Sequence, residues 1–320
     1  MSNKLTIIVP CYNEEEVLPT TVQALGLILT NLIKRGQIDS DSKILFVNDG
    51  SQDRTWDLIK KYEDEYPYVT GLKFARNYGH QNALLVGMTT AVKDSDLLIT
   101  IDADLQDDVN AIYEMVAKYH EGYEVIYGVR SSRETDTFFK RNTALAYYGL
   151  MKKLGVELVS NSADFRLLSQ RATQGLLEFK ERNLFLRAMV PMVGYKSTKV
   201  YYARKERFAG ESKYPLRKML KFAVDGITSF STAPIKMVMN LGFMITIIGI
   251  ILFIYAIIQK ISGHTVDGWA SLMISIWVLG GVQLISIGVI GEYVGKAFME
   301  VKRRPRFRIE EDDYSKKENK

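Results

Sequence analysis

Two carboxylates and a carboxamide, Asp102, Asp104 and Gln106, follow the apolar run Leu97-Leu98-Ile99-Thr100-Ile101. The run reads as a buried strand whose pattern stops where the acids begin. That places the acids at the carboxyl edge of a sheet, where open α/β folds bind ligands. Acid and amide oxygens at alternate positions suit a hard divalent cation, and Mg²⁺ takes one or two carboxylates while sharing substrate phosphates. Alone, such a pattern is equally a polar surface loop. Two further strand patterns end in the same kind of residue. Leu5-Thr6-Ile7-Ile8-Val9 leads into Pro10-Cys11-Tyr12-Asn13-Glu14-Glu15, and Ile44-Leu45-Phe46-Val47 leads into Asn48-Asp49-Gly50-Ser51. The Asp49 carboxylate is a candidate acceptor for a nucleobase N–H. Acids gathered in one crevice from separate strands require a compensating cation.

The elements that must hold these residues alternate. Helical patterns over Glu14–Ile33, Thr55–Tyr66 and His80–Val92 separate the strand patterns, with further strands at Val69–Phe74 and Glu124–Tyr127, the latter ending in Gly128-Val129-Arg130. This alternation predicts an α/β fold with a mostly parallel sheet covered by helices on both faces. No GxGxxG follows the first strand, so a dinucleotide-binding reading has no support. Cys11 is the only cysteine, which excludes an internal disulfide framework and fits a reducing compartment. Its place at a strand end predicts a small buried residue. His80 and His120 lack ligand spacing and are expected at the surface or in caps. Tyr147-Tyr148 and Tyr201-Tyr202 are expected to pack.

The formal charge of +5 is unevenly spread: Lys196–Lys221 holds nine basic residues against Glu206 and Glu211. Such a cluster suits nucleic acid or an anionic membrane, and two long apolar runs favour the membrane. These runs, Met237–Ile258 and Trp269–Gly291, are uncharged, and each is long enough for a bilayer core that takes about 20 residues. Lys236 precedes the first run, and Lys296, Lys302, Arg303, Arg304, Arg306 and Arg308 follow the second. The positive-inside rule then predicts a hairpin with both termini and the N-terminal domain cytoplasmic in the plasma membrane. No basic region with a short apolar stretch opens the chain, so no signal peptide is expected. Leu216, Met219, Leu220, Ala223, Val224, Ile227 and Phe230 recur at helical spacing opposite Arg217, Lys218, Lys221 and Asp225, predicting an interfacial amphipathic helix. Residues 310–320 are charged throughout and are expected to be a disordered tail. The expected organisation is a domain over 1–213, the interfacial helix over 214–234, the hairpin over 235–292, and a basic segment with a charged tail over 293–320.

Val9-Pro10-Cys11-Tyr12-Asn13-Glu14-Glu15, Val47-Asn48-Asp49-Gly50-Ser51, Asn77-Tyr78-Gly79, Asp102-Ala103-Asp104-Leu105-Gln106, Gly210-Glu211-Ser212-Lys213 and Gly291-Glu292-Tyr293 together resemble the inverting family 2 glycosyltransferases with a GT-A fold. Within that family the chain is similar to the polyprenyl-phosphate glycosyltransferases over nearly its whole length. The resemblance implies that Pro10, Tyr12, Asn13, Glu14 and Asp49 hold the nucleotide of a nucleotide-sugar donor, with Asp102 near the ribose and sugar. It implies that Asp104 and Gln106 hold Mg²⁺ or Mn²⁺ against the diphosphate. Arg130, Arg207, Ser212 and Lys213 would bind phosphate groups of donor or acceptor, and Arg133 and Lys140 would lie on a loop over the site. Asp164, in Ser162-Ala163-Asp164-Phe165-Arg166, matches an acidic position near the transferred sugar, placing it with Asp102 and Asp104 as a catalytic candidate.

The implied reaction is inverting transfer of a hexose-type sugar, most simply from a UDP-sugar, to a polyprenyl phosphate such as undecaprenyl phosphate. The product is a β-linked polyprenyl-phosphate sugar. A phosphate acceptor is already ionised near neutral pH, its second pKa being about 6, so a strong base is not needed. Asp164 is therefore expected first as a positioning group. The expected partners are the donor, the lipid acceptor and the bilayer, with no nucleic acid and with self-association of Gly-containing spans possible. Two rivals differ in class. A processive polysaccharide synthase would carry Gln-x-x-Arg-Trp and more spans, and a non-catalytic scaffold would not need the intact acidic set.

Overall fold

Apolar, β-branched runs make the centre of the sheet in the computed structural model, which describes residues 3–131, 149, 151, 158–182, 184–203, 227–229, 231–262 and 268–318. The chain divides into two compact units, one of Met1–Gly149, Glu157–Tyr214 and Arg304–Lys320, the other of Leu150–Val156 and Pro215–Arg303. The first unit holds β1 (Leu5–Cys11), α1 (Leu18–Lys34), β2 (Lys43–Asn48), α2 (Thr55–Glu65), β3 (Val69–Phe74), α3 (His80–Ala91), β4 (Leu97–Thr100), α4 (Ala111–His120) and β5 (Val125–Arg130). Next come β6 (Ser162–Ser169), α5 (Gln170–Leu177), α6 (Leu186–Met192) and β7 (Ser197–Tyr202). The second unit holds α7 (Ala233–Ile261) and α8 (Trp269–Lys302), after which the chain returns to the first unit as β8 (Ile309–Asp312) and α9 (Asp313–Glu318).

Eight strands form one sheet in the order β7-β5-β6-β4-β1-β2-β3-β8. The pairs β1–β2, β1–β4, β2–β3 and β5–β7 are parallel, while β4–β6, β5–β6 and β3–β8 are antiparallel. The sheet is thus mixed and mostly parallel, as the alternation of elements predicts. Leu18, Val22, Leu25, Leu29 and Leu32 of α1 join Leu5, Ile7, Val9, Ile44 and Phe46 of the strands in a single buried core. Strand order reverses direction at β1, with β2 on one side and β4 on the other. Carboxyl ends of strands at such a switch point open a crevice that suits a ligand.

Local chemistry explains why β1 passes through a proline. The Ile8 carbonyl accepts from Ile101 N on the β4 side, whereas the Cys11 carbonyl accepts from Asp49 N on the β2 side. Pro10 shares the parity of Ile8, so its missing N–H faces β4, which ends at Thr100. α1 begins at Leu18, four residues beyond the expected Glu14. The amides at the expected start are bound to the next loop: Asn13 N donates to Ser51 Oγ (3.0 Å), Glu14 N to Thr55 Oγ1 (2.9 Å) and Glu15 N to Asp53 Oδ2 (3.1 Å). The loops after β1 and β2 are thereby fastened to one another.

Two further expectations change. β6, β7 and their helices extend the sheet beyond the five strands read from the sequence. The charged C-terminus is not a disordered tail over residues 309–318. β8 pairs antiparallel with β3, and Tyr314 of α9 is fully buried. Its acids meet Lys60 and Lys73 (Lys60 Nζ–Asp313 Oδ2 2.7 Å, Lys73 Nζ–Glu310 Oε1 3.3 Å), so the charge is paired rather than solvated.

In the second unit, Ala233–Gln259 and Val278–Lys302 are each long and apolar enough to cross a membrane. Their side chains Phe243, Ile247, Ile251, Leu284 and Ile285 are exposed. Most of the expected interfacial helix, 214–234, lies outside the described residues, apart from 227–229 and 231–234.

Candidate active site

The expected residues assemble at the carboxyl edge around β1. From β1 come buried Pro10, exposed Tyr12 and exposed Asn13, the last in the left-handed region at φ 55°. The Asn13 carboxamide oxygen accepts from Gln52 N (2.8 Å), so its side chain shapes the loop. From β2 comes Asp49, nearly fully buried. Its Oδ1 accepts from Tyr78 N (2.6 Å) and its Oδ2 from Gly79 N (2.9 Å). Each carboxylate oxygen retains further acceptor capacity. Burial raises the Asp49 pKa, and the two backbone donors oppose that shift in part.

From β4 come Asp102, Asp104 and Gln106. Leu105 between them has φ 52°, a left-handed conformation that a branched residue adopts only under tertiary constraint. Gln106 N donates to Asp104 Oδ1 (3.2 Å), which closes the turn. Asp102 Oδ1 is buried without a hydrogen-bond partner. Burial first, then the charges of Asp164, Asp107 and Asp104, push its pKa up to about 6 against the favourable His80.

The Mg²⁺ or Mn²⁺ implied by the resemblance fits this environment. Hard oxygen donors stand beside a buried carboxylate oxygen that has no hydrogen bond and sits among the acids Asp164, Asp107 and Asp104, whose like charge a dication relieves. Among the described residues no three His, Cys, Asp or Glu side chains form a closed metal cage. Two donors, with the rest supplied by water and substrate phosphate, is the open arrangement that Mg²⁺ favours.

β6 runs antiparallel beside β4, pairing Thr100 with Arg166, and so brings Asp164 to the same edge. Asp164 is buried and surrounded by cations. Its Oδ1 accepts from Arg166 Nη2 (2.5 Å), its Oδ2 from Arg187 Nη2 (3.2 Å), and His80 Nε2 lies 3.4 Å from Oδ2. Burial acts to raise its pKa, but Arg187, His80 and Arg166 outweigh it and hold the carboxyl well below the usual range. His80 Nε2 is also 3.5 Å from Asp102 Oδ1. Burial opposes its protonation, yet Asp164 and Asp102 prevail and raise its pKa.

Arg130 closes β5 with its guanidinium committed to buried Asp107, with Nη2 3.0 Å and Nε 3.2 Å from Oδ1. Tyr202 OH donates to the same oxygen (2.7 Å). Arg133, Lys140, Arg207, Ser212 and Lys213 lie outside the described residues. His120, as expected, is peripheral, its Nε2 2.9 Å from the Gln37 carbonyl.

His80 lies exposed at the start of α3, as expected, but its contacts with Asp102 and Asp164 are not foreseen by sequence reasoning, nor is any role for Arg187 or Asp107. Arg187 belongs to α6, which Gln81 secures by accepting from Leu186 N (3.0 Å). Only the adjacency of His80 to Tyr78-Gly79 hinted at its place.

Residues 6–177 match the family described as Glycosyl transferase family 2, and residues 233–297 match the GtrB C-terminal hairpin. The chain belongs to glycosyl transferase family 2. The transferase is 57% identical over 97% of its length to the uncharacterized glycosyltransferase YkoT of Bacillus subtilis, covering 92% of that protein. It is 36% identical over 96% of its length to a prophage bactoprenol glucosyl transferase homolog of Escherichia coli, covering 98% of it. It is 37% identical over 96% to the SfII prophage-derived bactoprenol glucosyl transferase of Shigella flexneri, covering 97% of it. Its α/β unit carries the mixed, mostly parallel sheet, and the transferase adds two helices long and apolar enough to cross a membrane.

Proposed function

We propose that the transferase moves a hexose-type sugar from a UDP-sugar to a polyprenyl phosphate, undecaprenyl phosphate in the simplest case, with inversion at the anomeric carbon. The observation that carries the reading is Asp102, whose buried oxygen without a hydrogen bond stands at the switch point in the turn that also holds Asp104. Full-length similarity to proteins named bactoprenol glucosyl transferases supports the acceptor.

Asp49, Tyr12 and the loop from Pro10 to Glu14 hold the base and ribose, and Asp102 orients the ribose and sugar. Asp104 and Gln106 hold Mg²⁺ or Mn²⁺, which supplies charge stabilisation for the departing diphosphate. An acceptor phosphate oxygen forms the new bond to C1 while the C1–O bond to the nucleoside diphosphate breaks, and the leaving group keeps the electron pair. An α-linked donor therefore gives a β-linked product. The acceptor oxygen is already anionic, so no proton need be removed. Asp164 fits that requirement, since a carboxylate saturated by two guanidinium groups orients its neighbours and makes a poor base. Arg133, Lys140, Arg207, Ser212 and Lys213 complete the phosphate contacts. Arg130 joins them through the edge that Asp107 holds.

The two apolar helices cross the plasma membrane, with both termini and the catalytic unit on the cytoplasmic side, where the lipid phosphate and donor meet. Gly-containing spans favour self-association.

The test is transfer by the detergent-purified protein, given undecaprenyl phosphate, Mn²⁺ or Mg²⁺ and a panel of radiolabelled nucleotide sugars. Label in the lipid extract, lost with EDTA and in Asp104→Ala, is the expected result. A folded protein that binds nucleotide yet labels no lipid would overturn the acceptor, and one that binds none would leave the scaffold reading.

A further inference from the structure

The segment after α8 builds part of the sheet that carries Asp49. Arg308 O accepts from Ala75 N (3.1 Å), and β8 then pairs with β3 in the register Leu72 to Asp312 and Lys73 to Glu311. Trp56 Nε1 donates to Glu311 Oε1 (3.2 Å), and Lys60 Nζ to Asp313 Oδ2 (2.7 Å). Tyr314, 1% exposed, donates its hydroxyl to Asp94 Oδ1 (2.8 Å) and lies 3.2 Å from Thr6 Oγ1. Arg306 Nη2 donates to the Glu181 carbonyl (2.6 Å).

One residue of this strap reaches toward the site. The Phe307 ring stacks on Phe74 at 5.3 Å and 21°. Phe74 meets Tyr78 edge-on at 5.5 Å and 84°. Tyr78 N and Gly79 N are the two donors that hold the Asp49 carboxylate. The Arg76-Asn77 backbone abuts Gly50, where a Cβ would stand 2.4 Å from Arg76 C. The Tyr78-Gly79 turn thus follows backbone packed on the Gly50 turn and carries an aromatic stack that ends in the strap.

We propose that Phe307, in the strap that follows α8, is a positioning residue of the nucleotide subsite and acts through Phe74 and Tyr78 on Asp49. The inference rests on the reading of Asp49 as a nucleotide-binding residue. Close-packed aromatic contacts transmit small displacements because a packed interior deforms little. Loss of the Phe307 ring lets Tyr78 shift and loosens both amides from Asp49, while Asp102, Asp104 and Asp164 stay in place.

The experiment titrates UDP and GDP into the full-length protein in detergent, with melting temperature recorded alongside. The variants are Phe307→Ala, Phe307→Leu, Phe307→Tyr, Asp49→Asn and Tyr314→Phe. For whichever nucleotide binds, Phe307→Ala is expected to raise Kd about tenfold and donor KM in step, with kcat at saturating donor within twofold. Phe307→Leu serves if the alanine variant does not fold, with a smaller rise. Phe307→Tyr keeps the ring and restores affinity. Tyr314→Phe lowers the melting temperature with Kd unchanged, which separates positioning from loss of stability. Phe307 variants that melt earlier but bind as the wild type does would overturn the proposal while Asp49→Asn still weakens binding. Unchanged affinity in Asp49→Asn, or no binding by the wild type, would instead remove the nucleotide reading and the proposal with it.

Discussion

His80 Nε2 stands 3.5 Å from Asp102 Oδ1, the one carboxylate oxygen of the acidic turn that is buried without a hydrogen-bond partner. The same nitrogen lies 3.4 Å from Asp164 Oδ2, so a single imidazole bridges the strands β4 and β6 at the reacting edge. An imidazole between two acids that raise its pKa eases their mutual repulsion and holds Asp102 where the sugar is expected. His80→Ala is predicted to lower kcat/KM for transfer about a hundredfold, the lower end of what removing one preorganised electrostatic partner costs. His80→Gln, which keeps reach but not charge, should recover only part. Steady-state kinetics on the two variants decide, and equal activity of His80→Ala and wild type would count against the bridge.

Asp164 is the counter-charge of Arg166, which is only 4% exposed, and of Arg187. Asp164→Asn leaves a buried guanidinium poorly compensated, a change that costs about 3 kcal/mol or more. A large fall in melting temperature is expected. If Asp164 positions rather than abstracts a proton, wild-type turnover should show no appreciable solvent deuterium isotope effect, whereas a large one that Asp164→Asn abolishes would identify Asp164 as a base.

Gly50 has φ 65°, and its missing side chain is what admits the Arg76-Asn77 backbone. Gly50→Ala adds left-handed strain of about 1–2 kcal/mol to a clash with backbone that cannot rotate away. Lower stability and weaker nucleotide binding should appear together in Gly50→Ala, because the displaced segment carries the Tyr78 and Gly79 amides. Calorimetry with UDP or GDP beside thermal melting checks the pairing.

The legible parts of the fold were those in which periodicity alone decides. The strand patterns at Leu5, Ile44, Val69 and Leu97 lie in elements that begin within a residue of expectation, because parallel central strands are continuously apolar. β8 was illegible for the converse reason. Ile309-Glu310-Glu311-Asp312 is an edge strand held by lysines of other elements, and one buried tyrosine anchors the short helix α9 after it. At the site, Asp49, Asp102 and Asp104 could be found because each ends an apolar run. His80 and Arg187 could not. Each owes its role to β6 lying antiparallel beside β4, and a contact across a sheet leaves no period in either segment.

Acid should loosen the C-terminal strap before the sheet itself. Burial acts to raise the Asp313 pKa, but hydrogen bonds from Lys60 and Lys316 outweigh it and hold the carboxyl below its usual 3.8. A carboxyl with a depressed folded pKa stabilises the docked state fully above the unfolded value, and that contribution is lost as pH falls through the folded value. The strap is therefore expected to hold undiminished from neutral pH down to about pH 5 and to weaken below about pH 4. Asp313→Asn should remove this acid dependence while weakening docking at neutral pH, since each lysine would lose its charged partner. Hydrogen exchange of the amides at 309–312 and 72–75, followed from pH 7 to pH 3.5, measures it. Protection that declines only below about pH 4 in wild type, and is already reduced at pH 7 in Asp313→Asn, is the expected outcome. Identical profiles for the two proteins would show that Tyr314 and the β3 ladder hold the strap without the ion pairs.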